Sequence, residues 1–489
     1  MPATSSSLSK RACDSCRQRK VKCDAAQPCT FNVVPRKRGP KGPREGAQES
    51  QTAKQCAQDS PETAGEARSL ASASITHLAY SLIDSYSSPS EIRRVLFASV
   101  ADAVPMLSIK QIVDKCISLY VLHLFPSAPV CHIPGLQTMA AAQFPLDGYD
   151  GNDNAFEHGT DHDRVAHMRA FTLLTAVCAA IASVYPETML PYRDLVAAPF
   201  LGASRSMLKV YEDYDTQVPI SSSLPTRLLQ SAALQHAAGK TSAAWHVLSQ
   251  AGLLAQSLRL HSEQSLTKYD QLEATLLRNN FWMLFVADKS AIAMANRPVT
   301  LHEPLFDSTM DLAEKNPIRG SLLDPSMRNL PEAFEETLTE GFLLIRRCWA
   351  SASRLLVAIR SKRQNTALDD PVNHANREDR ESMTRMHKEV MGLLDELPPW
   401  LDSPDTVELE PGYDVAFQRS CFWTQKAQLI DFMRVTRSIL LEISQKVESE
   451  DIRGRASSLL SSLLDILARL DSRASDELIQ QSSQGLGSN

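Results

Sequence analysis

The chain has 489 residues, of which 43% are hydrophobic and 22% are charged, and its formal net charge is −6. An apolar fraction this close to the globular average argues against wholesale disorder and allows two or more domains with a large core. The charge is unevenly distributed: residues 10–44 contain eleven Lys and Arg and two Asp, a net charge of +9, which leaves −15 elsewhere. We therefore expect only the N-terminal segment to bind polyanions.

Four of the ten cysteines lie in this basic segment, spaced C-x2-C-x6-C-x5-C: Cys13, Cys16, Cys23 and Cys29. A C-x2-C pair lets two thiolates bind one metal ion from a tight turn, and the next cysteines can complete a tetrahedral zinc site. The cations between the second and third cysteines lower the thiol pKa, which favours the thiolate that binds zinc. There are more cations than are needed to stabilise the thiolates, and the additional positive charge favours binding to the phosphate backbone of a nucleic acid.

Residues 12–24 and 27–29 resemble the DNA-binding domain of the fungal zinc binuclear cluster transcription factors. The resemblance implies a short basic helix that enters the major groove of double-stranded DNA at CGG-type triplets, with Lys20 contacting bases and Arg19 and Lys22 contacting the backbone. The DNA-binding residues expected on this basis are Arg17, Arg19, Lys20, Lys22, Arg36, Lys37, Arg38 and Lys41. A short exposed cluster of cations also suits nuclear import, and the residues expected to serve it are Arg36, Lys37, Arg38, Lys41 and Arg44.

The cysteine pattern also departs from that family, in which six cysteines hold two zinc ions. The next cysteine after Cys29 is Cys56, which lies 27 residues further on and beyond the basic linker. Four thiolates suffice for one tetrahedral zinc, so the sequence supports one Zn²⁺ rather than two. About ten residues of the family pattern are missing at Cys29, and a faulty gene model remains an alternative to a real deletion.

From residue 67 onward apolar residues recur at helical spacing, and no alternating run predicts a sheet, so the predicted fold class is all-α. The predicted helices cover residues 109–124, 163–185, 223–238, 242–260, 272–295, 332–361, 380–397, 413–447 and 452–470. The longest apolar run, 170–185, is broken by Thr and Ser, and we expect a buried helix there and no membrane span. The predicted domains are a zinc cluster with basic linker at 8–44, a disordered linker at 45–66, a helical regulatory domain at 67–475 and a disordered tail at 476–489.

Two helical segments, residues 244–261 and 277–289 with 296–298 after them, resemble the middle homology region of the same family, over about residues 95–340. In that family the region is regulatory. Trp282 and Phe285 are expected to be core residues, and Asp288 and Arg297 to form an ion pair or cap rather than a catalytic site. The linker contains no sustained heptad, so a homodimer is possible but is not predicted by a coiled coil.

An enzyme is not expected, because the sequence contains no G-x-S-x-G elbow, phosphate-binding loop or H-E-x-x-H motif. His158 and His162 with Asp161 and Asp163 could bind a metal ion, but this Gly/Asn/Asp-rich stretch is more typical of an exposed loop.

The sequence thus predicts a nuclear, zinc-dependent, sequence-specific RNA polymerase II transcription factor whose partners are promoter DNA and the transcription machinery. A regulator of a secondary-metabolite gene cluster is favoured by the modest length of the helical part and its lack of long glutamine tracts. Two alternatives stay open: a regulator of carbohydrate or other nutrient catabolism, and a non-DNA-binding regulatory interaction protein with a degenerate zinc cluster.

Overall fold

The structure is a computed structural model, and it describes residues 88–145, 156, 159–238, 241–295, 300–303, 306, 320–323, 329–366, 375–395 and 397–446. These residues all lie within one compact unit of the chain. Their regular secondary structure is helical throughout and includes no strand, which confirms the predicted all-α class. The predicted linker at 45–66, helix at 452–470 and tail at 476–489 lie outside the described residues, and the domain boundaries stay predictions.

The described helices, in chain order, are α1 Pro89–Ala103, α2 Ile109–Leu119, α3 Ile133–Gln143, α4 Asp161–Val184, α5 Arg193–Gln217, α6 Ser223–Ala238, α7 Thr241–Ser257, α8 Gln271–Ala295, α9 Phe334–Thr366, α10 Ala375–Asp395, α11 Pro399–Asp402 and α12 Val415–Lys446. Eight of the nine predicted helices have a counterpart here, and α6 agrees with its prediction at both ends. A proline in the first turn and a glycine after the last residue mark those ends locally.

Four helices, α1, α3, α5 and the short α11, were not individually predicted from the sequence. In α5 the interior Pro199 cannot donate a backbone hydrogen bond and normally ends or bends a helix. The flanking Phe200 and Leu201 are fully buried where α5 packs against α4, so tertiary packing outweighs this local signal. The predicted helix at 109–124 changes type near its end, since Tyr120–Leu124 forms a π-turn closed by a 2.7 Å hydrogen bond from the Phe125 amide to the Tyr120 carbonyl.

Helix α4 is the central helix of the first half of the fold and packs against α2, α3, α5 and α6. A capping box starts it, in which the Asp163 amide donates to the Thr160 hydroxyl and the Thr160 amide donates to the Asp163 carboxylate. The helix is long and apolar enough to cross a membrane by length and composition, but 83% of its most apolar window is buried within the protein. This burial is what a core helix of the predicted kind requires.

A buried charge network joins α4, α5 and α6. The carboxylate of Asp215 accepts hydrogen bonds from Arg169 at 2.8 Å, from Arg227 at 2.7 Å and from the Ser223 hydroxyl at 2.7 Å. Arg169, Arg227 and Asp215 are all nearly inaccessible to solvent. Buried charges need such pairing because an unpaired ion loses its hydration without compensation.

Helix α9 has the corresponding position in the second half, where it packs against α8, α10 and α12. Its Trp349 ring meets Phe432 of α12 edge-on, with the ring centroids 5.0 Å apart. Helix α8 contacts this group and also α6 and α7, so its side chains join the two halves of the core. Residues 277–289, which resemble the middle homology region, therefore lie in the helix that contacts both halves of the core.

Candidate functional site

The predicted zinc and DNA-binding residues lie in the N-terminal segment, outside the described residues. They are Cys13, Cys16, Cys23 and Cys29 for the metal, and Arg17, Arg19, Lys20, Lys22, Arg36, Lys37, Arg38 and Lys41 for DNA, with Arg44 added for nuclear import. Their roles remain predictions from the sequence.

The alternative metal site around residue 162 gains no support. No group of three or more His, Cys, Asp or Glu side chains suited to a metal ion occurs among the described residues. Asp163 is engaged in the capping box of α4, where the hydrogen bonds from Thr160 hold its pKa below the usual value. Asp161 pairs with Arg164 on the same helical turn. Residues 161–163 are exposed as predicted, but residues 161 and 162 belong to the start of α4 and not to a loop, while His158 lies outside the described residues.

The first resembling segment forms α7 and the turn after it. The buried side chains of α7 recur at helical spacing and face α6 and α8: Ala244, Val247, Ala251, Leu254 and Ala255. After the helix, Arg259 adopts a left-handed backbone conformation with φ of 56° and reverses the chain, which lets Leu258 and Leu260 both enter the core. The segment is therefore a helix with a defined C-terminal stop, in agreement with the predicted helix at 242–260.

The second resembling segment lies in α8 and contributes an aromatic cluster. Trp282 meets Phe281 and Phe285 edge-on, with centroid distances of 5.2 and 5.5 Å. The guanidinium carbon of Arg346 on α9 lies 3.8 Å from the centroid of the Trp282 ring, a buried cation–π contact. Trp282 is 3% exposed and Phe285 is fully buried, which confirms the prediction that both are core residues.

Two asparagines of α8 hold a distant segment by its backbone, a role that no motif in the sequence indicates. The Asn279 side chain donates to the Pro129 carbonyl at 3.0 Å, and the Asn280 side chain donates to the Val130 carbonyl at 3.1 Å. The partners are 150 residues apart in the chain, so no local pattern could have indicated them.

The predicted structural role of Asp288 is confirmed. Its carboxylate accepts hydrogen bonds from the backbone amides of Thr300 at 3.0 Å and Leu301 at 3.2 Å, and also from the Thr300 hydroxyl. The neighbouring Lys289 ammonium lies 3.5 Å from the same carboxylate and donates to the Leu301 carbonyl. Burial lowers the pKa of Lys289, and the carboxylates of Asp288 and Glu303 oppose that shift. Arg297 lies outside the described residues.

A cavity of about 160 Å³ opens beside this contact, between α7, the middle of α8 and residues 300–301. Its lining residues are Trp245, Leu248, Ser249, Gly252, Leu253, Gln256, Leu284, Asp288, Thr300 and Leu301. The two segments that resemble the middle homology region thus line one cavity together. Among the described residues that line it, Asp288 is the charged one.

These features together define an all-helical part of the chain that follows a basic, cysteine-rich N-terminal segment. Comparison with protein families gives the particular class. Residues 11–30 match the fungal Zn(2)-Cys(6) binuclear cluster domain, and residues 208–390 match the fungal specific transcription factor domain. The chain therefore carries both domains of a fungal zinc-cluster transcription factor. No curated protein and no solved structure gives a match.

The matches also bear on the predicted boundaries. The match to the fungal specific transcription factor domain runs from residue 208 to residue 390. It overlaps only the later part of the middle homology region expected at residues 95–340 and extends beyond that region. It includes α7, α8 and the cavity. The zinc-cluster match at residues 11–30 contains the four clustered cysteines. The domain that it identifies binds zinc, in agreement with the expected cofactor. Four thiolates form one complete tetrahedral donor set for Zn²⁺.

Proposed function

We propose that this chain is a nuclear, sequence-specific regulator of RNA polymerase II transcription in which the N-terminal segment binds CGG-type promoter DNA. The observation that carries the proposal is the occurrence of both matched domains together with a sharp division of charge. Residues 10–44 have a net charge of +9 and the remainder −15. A basic zinc-bound segment is attracted to DNA phosphates, whereas the acidic remainder is repelled by them.

The proposed roles within the N-terminal segment differ by residue. The four cysteines hold zinc, which fixes the fold of a segment too short to build its own apolar core. Lys20 contacts base edges and provides specificity, while the cations of the linker, such as Arg38 and Lys41, contact phosphates and provide general affinity. The helical domain regulates or recruits the transcription machinery.

Binding of the full-length, zinc-loaded chain to CGG-containing and scrambled duplexes tests this division. Lys20→Ala should cost about 1–3 kcal/mol on the specific duplex and much less on the scrambled one. The matched control Arg38→Ala should weaken binding to both duplexes and reduce the salt slope by roughly one unit. Equal losses on both duplexes for Lys20→Ala would refute its role in base recognition.

We further propose that the targets form a secondary-metabolite gene cluster, supported by the lack of long glutamine tracts in the helical part. Deletion of the gene should then change transcript levels of neighbouring biosynthetic genes. A change confined to genes of carbohydrate or other nutrient catabolism would favour the alternative pathway class.

A second candidate function, a regulatory interaction protein without DNA binding, is favoured by one specific observation. After Cys29 the next cysteine is Cys56, so the second half of the six-cysteine pattern is missing. Zinc-loaded chain that binds neither duplex at physiological salt would support this candidate. Transcript sequencing across the codons around Cys29 distinguishes a real deletion from a faulty gene model, since a recovered C-x2-C segment would restore the complete cluster.

A further inference from the structure

The cavity beside Asp288 is open where α7 presents two small residues, Ser249 and Gly252, to it. Trp245, Ser249, Gly252 and Gln256 follow one another at helical spacing along the same side of the helix. A β-carbon on Gly252 would meet no other atom within 4 Å. Glycine inside a helix costs about 1 kcal/mol relative to alanine, so a larger side chain would be tolerated here and would also favour the helix.

The walls of the cavity are mainly apolar. Leu248, Leu284 and Leu301 contribute aliphatic surface, and Trp245 contributes an aromatic ring. Leu253 lies at the rim and is 65% exposed, so it adds apolar surface at the entrance of the cavity. Such a surface favours an apolar ligand, because its burial removes apolar area of both partners from water.

Asp288 is the charged side chain among the described residues that line the cavity. Hydrogen bonds and a neighbouring ammonium group already stabilise its negative charge. Three donors from Thr300 and Leu301 and the ammonium of Lys289 surround its carboxylate. A cationic ligand would have to compete with these donors, and an anionic ligand would face the carboxylate itself. Both would lose hydration on entering, so a neutral ligand fits this site best.

The cavity is open on one side, so its volume sets the size of the ligand group that it can enclose. An apolar cavity of about 150 Å³ accommodates a single benzene ring in a well-studied protein, and this cavity has about 160 Å³. The amide of Gln256, which is exposed at the rim, can make a hydrogen bond to one polar substituent. We propose that the cavity binds a neutral small molecule built on one aromatic ring with a single hydrogen-bonding substituent. This binding does not depend on DNA recognition by the N-terminal segment, so each can fail without the other.

The test uses the full-length chain and p-cresol as the probe, with binding followed by ligand-detected NMR. Saturable binding is expected, and the charged analogues 4-methylbenzoate and 4-methylbenzylamine should bind at least about tenfold more weakly because they lose hydration. No saturable binding of p-cresol, or equal binding of the charged analogues, would overturn the proposal.

Gly252→Leu locates the site, because the leucine side chain should fill the cavity and weaken p-cresol binding at least about tenfold. The matched control is Gly392→Leu on α10, where a β-carbon also meets nothing within 4 Å. It should leave binding unchanged. Ser249→Leu fills the cavity from the adjacent turn of α7 and repeats the test if Gly252→Leu lowers the thermal midpoint. Undiminished binding to a folded variant with a filled cavity would place the ligand elsewhere and refute the assignment.

Discussion

The side chain of Gln425 on α12 occupies the space next to Gly341 on α9. A β-carbon at Gly341 would lie 2.6 Å from Cδ and 2.8 Å from Nε2 of this glutamine. Gln425 is fully buried, and its Nε2 donates to the carbonyls of Pro126 at 2.8 Å and Leu338 at 2.7 Å. The glycine therefore allows one buried amide to join α9 and α12 to the turn after α2.

Gly341→Ala should destabilise the protein by about 2–4 kcal/mol, because the new methyl group displaces Gln425, which takes the side-chain donor from the buried Pro126 carbonyl and the additional donor from the Leu338 carbonyl of α9. Gly392→Ala is the matched control, since it sits in α10 with open space around it and should stabilise the protein by up to about 1 kcal/mol through helix propensity. Urea unfolding of both variants measures the difference. Equal changes in the two would mean that Gln425 moves aside without loss.

Asp215→Asn should cost about 3–5 kcal/mol, because it leaves the buried guanidinium groups of Arg169 and Arg227 without a counter-charge while conserving volume. The control is Asp431→Asn, which breaks the exposed pair with Arg434 on α12. Exposed pairs contribute little, so this variant should unfold close to the wild type. Similar stability of the two variants would show that the network does not need the charge of Asp215.

Stability should fall as the pH is lowered below about 6.5, the ordinary value for histidine. Burial lowers the pKa of His132, opposed in part by Glu335, and burial also lowers the pKa of His123 and His236. The unfolded chain then binds protons that the folded chain does not, so the stability present above pH 6.5 is lost on acidification.

His132→Asn tests the contribution of the histidine that caps α3. Its Nδ1 accepts a 3.2 Å hydrogen bond from the Gly135 amide, which protonation would remove. Asparagine can accept the same bond without titrating. The variant should therefore lose less stability between pH 7.5 and 5.5 in urea unfolding than the wild type. An unchanged pH dependence would assign the effect to other groups.

The full-length chain should bind about one Zn²⁺ tetrahedrally through the clustered cysteines. Cobalt substitution should give the absorption of a thiolate-bound tetrahedral ion, which Cys16→Ala abolishes. Cys56→Ala is the matched control and should leave the spectrum unchanged, because Cys56 lies 27 residues beyond Cys29. Binding of two equivalents would mean that further ligands complete a binuclear cluster.

Local features of the sequence were enough to predict the class of the fold and many of its helices. The ends of α6 agree with the prediction because a proline and a glycine mark them within a few residues. The burial of Trp282 and Phe285 follows from large apolar side chains in an amphipathic helix, and the zinc-binding segment follows from cysteine spacing and charge.

The polar contacts that join distant parts of the fold, including the one at the candidate site, depend on tertiary structure. Asp288 and Thr300 are separated by 12 residues, Arg169 and Asp215 by 46, and Asn279 and Pro129 by 150. Each pair meets only after helices have packed, and no periodicity in the sequence indicates which polar side chains will share a buried position. The sequence by itself determined that Gly252 lies in a helix, because local spacing controls helix formation. The packing of α7 beside α8 decided that the space around Gly252 stays open. The volume of a cavity depends on the side chains of several helices, so no single segment of the sequence indicates it.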